Sequence, residues 1–171
     1  MQKLLIVKMF DDVKLPERKN PTDSGFDLFA YSFKRYYQNH GSNSERMLEG
    51  KNLEPFIRES TVELGYLDRI LVGTGIKATV GAGFEIQVRP RSGLALKQGL
   101  SICNTPGTID EAYRDEIGLI IVNLSRKVQS LTLGDRVAQM VVCPVALPEI
   151  EVVQSLPEND RGGGFGSTGV K

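Results

Sequence analysis

"FEIQV", residues 84–88, alternates without a break: Phe84, Ile86 and Val88 fall on one face of an extended chain, Glu85 and Gln87 on the other. A helix would spread these apolar positions around its circumference, whereas a strand gathers them into one core-facing row. Short apolar runs recur on both sides of it, at 4–10, 69–72, 117–124, 128–133, 137–145 and 150–153. Glycine, proline or charged residues interrupt them as turns interrupt strands. No window beyond a dozen residues carries a sustained helical repeat. The chain therefore reads as all-β, a jelly-roll-like barrel or sandwich. Its one short helix is expected over "SGLALKQG", 92–99, with Ser92 placed to cap and Gly99 to terminate.

The 171 residues suit one domain, 1–171, with a single core. Lysine plus arginine and aspartate plus glutamate both number 21, so the net field cannot hold a nucleic acid polymer, although a local cluster of arginines can still hold a small anion. Two cysteines, Cys103 and Cys143, make no disulfide framework and lack metal-ligand spacing, so they are expected as small buried apolar side chains. The N-terminal apolar run is too short for a signal segment or a membrane span, which predicts a soluble cytoplasmic protein. Residues 31–61, rich in charge, asparagine and tyrosine, are expected as a surface insertion, and 157–171, with five glycines, as a flexible C-terminal arm.

Five stretches carry chemistry. In "DSGFDLFA", Asp27 enters an apolar strand, where a carboxylate needs a donor, a cation or a hydrated metal. In "RPRSGLALKQGL", Arg91 and Ser92 stand where a strand meets a helix N-terminus, a setting that favours an anion. In "NTPGTIDEAYRDEIG", Asn104, Pro106 and Gly107 shape a hairpin whose backbone could read a planar base, with Asp110 and Tyr113 at its rim. A carboxylate there could take a proton from water, or simply be structural. In "GDRVAQMVV", Gln139 shares a strand face with Val137 and Val141 and must find partners, whether a phosphate, a water or a neighbouring backbone. Finally, "RGGGFGSTG" sets Arg161, Phe165, Ser167 and Thr168 on a glycine-rich backbone able to wrap a phosphate and stack on a ring.

In this order, the five stretches resemble the five motifs of the homotrimeric dUTP diphosphatases, the dUTPases, from about residue 21 to 169. The resemblance implies trimers with active sites built from three chains, which hydrolyse dUTP to dUMP and pyrophosphate, keep uracil out of DNA and supply dUMP for dTMP synthesis. It implies that Asp110 activates the water that attacks the α-phosphorus and that Gln139 contacts the α-phosphate and that water. Arg91, Ser92 and Gly93 would hold the phosphates, and Asp27 would touch the hydration shell of Mg²⁺. Uracil would be read by Asn104 and backbone around Gly107 and Ile109, and the deoxyribose by Tyr113. The arm would close with Phe165 on uracil and Arg161, Gly166, Ser167 and Thr168 about the γ-phosphate. The third motif usually has glycine where Asp115 stands, a tolerable change if the turn needs positive φ. A related enzyme on the same fold, dCTP deaminase, has a different third motif.

Overall fold

The computed structural model describes residues 3–39, 45–48 (backbone only) and 60–158. Its strands are β1 (Leu5–Lys8), β2 (Phe26–Phe29), β3 (Ser32–Asn39), β4 (Glu45–Leu48), β5 (Thr61–Leu64), β6 (Arg69–Gly73) and β7 (Ile76–Thr79). They continue with β8 (Phe84–Arg89), β9 (Leu100–Ile102), β10 (Gly107–Ile109), β11 (Gly118–Asn123), β12 (Gln129–Thr132) and β13 (Arg136–Pro144). One helix, α1 (Ser92–Gln98), separates β8 from β9. Two sheets, ordered β10-β8-β13-β2 and β4-β3-β6-β11-β9, form the jelly-roll-like sandwich, and β1-β7 and β12-β5 make two smaller pairs.

The alternation of "FEIQV" holds. Ile86 and Val88 are buried, while Glu85, Gln87 and Arg89 line the other face, where Arg89 donates to Gln87 Oε1 (2.6 Å) and Gln87 donates to Glu85 Oε1 (2.6 Å). From the facing sheet, Phe33, Ile70, Val72, Leu119 and Ile121 join the same apolar cluster. Each fully buried side chain of this size contributes about 1.5–3 kcal/mol relative to exposure. No described helix is long and apolar enough to cross a membrane.

Three expectations need correction here. Residues 32–39 are not a surface excursion: β3 lies between β4 and β6, with Phe33 and Tyr36 in the core. The register slips between Phe33 and Arg35, so the buried residues are three apart, which hides the strand from a period-two reading. Buried Asp68 pins this strand by accepting from the Tyr36 hydroxyl (2.5 Å), the Asn39 amide (2.7 Å) and the Gly65 amide (2.8 Å). Burial, and then the Asp68 carboxylate, push the Tyr36 hydroxyl pKa well above its ordinary value, so it stays a donor. Residues 150–153 are not a strand, and Ile150 and Val152 are each 94% exposed, because no described strand pairs with them. Cys103 is exposed rather than buried, and Cys143 is half-buried.

The Phe33→Ala variant loses about 3–5 kcal/mol of unfolding free energy in urea, the cost of an aromatic cavity in a packed core. A loss below about 0.5 kcal/mol, ordinary for a surface position, would return β3 to the surface.

Candidate active site

β13 is the hinge of the site because it pairs with two strands that carry site residues. Gln139 stands opposite Asp27 on β2 and opposite Arg89 on β8, one residue before Pro90 and two before Arg91. A bulge sets this up. The register of β13 against β2 shifts between Arg136 and Ala138, and Val137 and Ala138 are both buried. Val137 thus leaves the face of Gln139 and Val141 that plain alternation assigns to it.

These residues wall a cavity of about 470 Å³, with Asp27, Arg91, Ser92, Gly93 and Gln139 in its lining. Arg91 grips Asp27 through Nε (2.8 Å) and donates through Nη1 to the Arg136 carbonyl (2.9 Å), and Arg136 reaches the second Asp27 oxygen through Nη1 (3.2 Å). The Asp27 carboxylate therefore has its cations, as a part-buried charge must. Gln139 donates to the Pro90 carbonyl (2.9 Å), so its amide pins the neighbouring backbone. Gly25 leaves room for this amide, since a Cβ there would displace Gln139 Oε1 from its place. Ser92 is not the helix cap: Arg91 occupies that position without a side-chain capping bond, and Ser92 is the first helical residue. Gly99 does end the helix, in the left-handed conformation at φ 69°.

The 104–113 stretch lies elsewhere. It is also not a hairpin, because β9 pairs with β11 in one sheet while β10 pairs with β8 in the other, making 103–106 a corner between sheets. Asn104 and Asp110 are exposed, and Gly107 is buried against Val88. Ile109 and Tyr113 line a separate cavity of about 550 Å³. Tyr113 donates to the Glu116 carbonyl (2.9 Å); burial, and then Asp115 and Glu116, push its hydroxyl pKa up, which keeps that donor protonated. No described group pairs with the Asp110 carboxylate. Asp115 does not adopt positive φ, which among the described non-glycine residues belongs to Leu67 alone, so the aspartate carries no backbone strain.

The register gives the distance between the two groups of residues. Ile109, the last residue of β10, pairs with Ile86, three positions along β8 from the Arg89 that faces Gln139, and Asp110 follows one residue beyond the paired strand. Two strand spacings across and four residues along put the Asp110 and Gln139 Cα atoms about 16 Å apart. Side chains standing off a sheet do not close such a gap.

A sequence model of the dUTPase family matches residues 57–169. The chain belongs to the dUTPase family. A deoxyuridine 5'-triphosphate nucleotidohydrolase of Hydrogenobaculum sp. is 39% identical over 170 residues, 99% of each chain, so the likeness runs through 31–61 as well. One from Dinoroseobacter shibae is 50% identical over 119 residues, 69% of this chain and 77% of its own. A solved dUTPase of Staphylococcus bacteriophage 80alpha with dUpNHpp aligns with TM-score 0.72 over 98% of this chain and 99% of that one, at 21% identity, a likeness of fold.

Of the residues that the dUTPase motifs single out, the structure brings together Asp27, Arg91, Ser92, Gly93 and Gln139. It sets Asn104, Gly107, Ile109, Asp110 and Tyr113 outside that cavity. Arg161, Phe165, Gly166, Ser167 and Thr168, with most of the 157–171 arm, lie outside the described residues. Sequence reading missed Glu17, Lys19, Asp23, Ser24 and Arg136 in the cavity wall. Asp23 and Ser24 open "DSGFDLFA" and Arg136 sits inside "GDRVAQMVV", so these three could have been found there; Glu17 and Lys19 precede the first motif and carry no pattern.

The wall carries Lys19, Arg91 and Arg136 against Glu17, Asp23 and Asp27, formally neutral. A nucleoside triphosphate needs further positive charge there. No described cluster of acidic, histidine or cysteine residues could cage a metal.

Proposed function

We propose that this protein hydrolyses dUTP to dUMP and pyrophosphate in sites shared between the subunits of a homotrimer. The observation that carries this reading is the division of the family's site residues. The phosphate-side set surrounds one cavity, while Asp110, exposed and unpaired among the described residues, stands about 16 Å from Gln139. A second copy that lays its 104–113 segment over the cavity would bring Asp110 to the α-phosphorus. The apolar surface left bare on the single chain supports assembly: Leu147, Ile150, Val152 and Leu156 are each at least 78% exposed.

In the assembled site, Ser92, Gly93 and Arg91 hold the phosphate chain, and Asp27 keeps the Arg91 guanidinium in place. Asp110 accepts the proton of the attacking water, and Gln139, fixed on the Pro90 carbonyl, orients that water and the α-phosphate. Asn104 and the backbone at Gly107 and Ile109 read uracil, and Tyr113, held by its bond to Glu116, closes against the deoxyribose. Arg161, Phe165, Gly166, Ser167 and Thr168 of a third copy would cover the nucleotide and exclude bulk water. Mg²⁺, met by Asp27 through water, would neutralise charge on the triphosphate and the leaving pyrophosphate. A cytoplasmic location, beside the deoxynucleotide pool, goes with this reading.

The test is pyrophosphate release from dUTP, dTTP, dCTP and UTP with and without Mg²⁺. Release from dUTP should require Mg²⁺ and exceed that from dCTP by at least about 10³-fold, because the wrong base edge leaves buried polar groups unpaired. Ammonia from dCTP would make the protein a deaminase. Binding of dUTP without pyrophosphate release would make it a nucleotide-sensing module.

A further inference from the structure

The cavity wall contains three cations, and two of them are committed to the protein. Arg91 directs Nε and Nη2 at Asp27 and Nη1 at the Arg136 carbonyl, and Arg136 spends Nη1 on Asp27. Lys19 has no hydrogen-bond or ion-pair partner among the described residues, and its side chain is exposed to the cavity.

Its backbone, by contrast, is fixed on both sides. Glu17 exchanges hydrogen bonds with Asp27, accepting from the Asp27 amide at 2.8 Å, and Arg18 lays its guanidinium over the Phe26 ring at 3.9 Å. Beyond Lys19, the Asp23 carboxylate accepts from the Asn20 amide (2.8 Å) and side chain (3.2 Å) and closes a turn. These two hydrogen bonds hold the Asp23 carboxyl below its usual pKa, with smaller help from Lys19 and Arg18. Asp23 is thus already satisfied. A lysine anchored at the backbone, with its ammonium uncommitted beside a cavity for phosphates, can meet an anion without first breaking a bond to the protein, at the cost of its own side-chain freedom.

We infer that Lys19 is a binding residue for the terminal phosphates of the nucleotide and for the pyrophosphate that leaves. The assignment deepens the reading above and rests on it for the identity of the substrate. Glu17, which faces the same cavity without a side-chain partner among the described residues, opposes Lys19 and weakens the same interaction. The ligand class is a di- or triphosphate, since a single α-phosphate beside Gln139 already has Ser92 and Gly93 as neighbours.

The experiment measures KM and kcat for dUTP with Mg²⁺, and inhibition by inorganic pyrophosphate and by dUMP, in the full-length wild type, Lys19→Gln and Glu17→Gln. Lys19→Gln should raise KM and the pyrophosphate inhibition constant about fivefold, with kcat and dUMP inhibition within about twofold. Glu17→Gln should shift pyrophosphate inhibition the opposite way. Unchanged values in Lys19→Gln, or equal weakening of dUMP and pyrophosphate, would overturn the assignment. Should the wild type release no pyrophosphate from dUTP, the substrate reading fails by itself, and calorimetric binding of pyrophosphate to the same proteins still decides Lys19.

Discussion

The Asp110→Asn protein binds dUTP with nearly unchanged affinity and turns it over about 10³-fold more slowly, the usual contribution of a positioned general base. Asparagine keeps the shape and one acceptor oxygen but cannot take a proton from water. The structure makes this substitution unusually clean. Asp110 is exposed and no described group pairs with it, so its replacement breaks no ion pair and leaves no buried charge behind. Stability should change by less than about 0.5 kcal/mol, which separates lost chemistry from lost folding. Tritrated binding of a non-hydrolysable dUTP analogue and single-turnover rates supply the two readouts. A rate within about threefold of wild type would remove Asp110 from the base role.

Two inactive variants should restore each other. Asp110→Asn retains the phosphate-side residues, and Gln139→Leu retains Asp110. If a site takes Asp110 from one copy and Gln139 from another, co-assembly after mild denaturation and refolding yields mixed trimers in which roughly a quarter of sites are wholly wild type. Activity should rise from near zero to about that fraction of the wild-type rate. The single-chain geometry motivates this expectation, because the register of Ile109 leaves the adjacent Asp110 about 16 Å from Gln139. Side-chain motion cannot bring them to a common water. Mixtures that stay as inactive as their components, once mass measurements establish mixed assembly, would mean that each chain completes its own site by a rearrangement of 104–113.

Much of this was open to a reader of the sequence. The strict alternation at 84–88, the apolar runs that became β1, β6, β11, β12 and β13, and Gly99 at the end of α1 are local signals, set by side-chain period and by backbone freedom at positive φ. β3 was hidden because its register slip breaks the period and its polar residues face out, so only the partner strands reveal that Phe33 and Tyr36 are core. The run at 150–153 misled for the opposite reason: apolar alternation states a need for a partner without supplying one.

By itself, the order of residues determined an all-β chain and a set of five motifs, since both depend on spacing along the backbone. Tertiary structure alone decided which motif residues meet. Asp27, Arg91 and Gln139 converge because β13 pairs with both β2 and β8, and Arg91 turns to Asp27 because a part-buried carboxylate must be neutralised. Asp110 stays apart because β10 leaves the other edge of the same sheet, a separation created by strand order that no one-dimensional motif records.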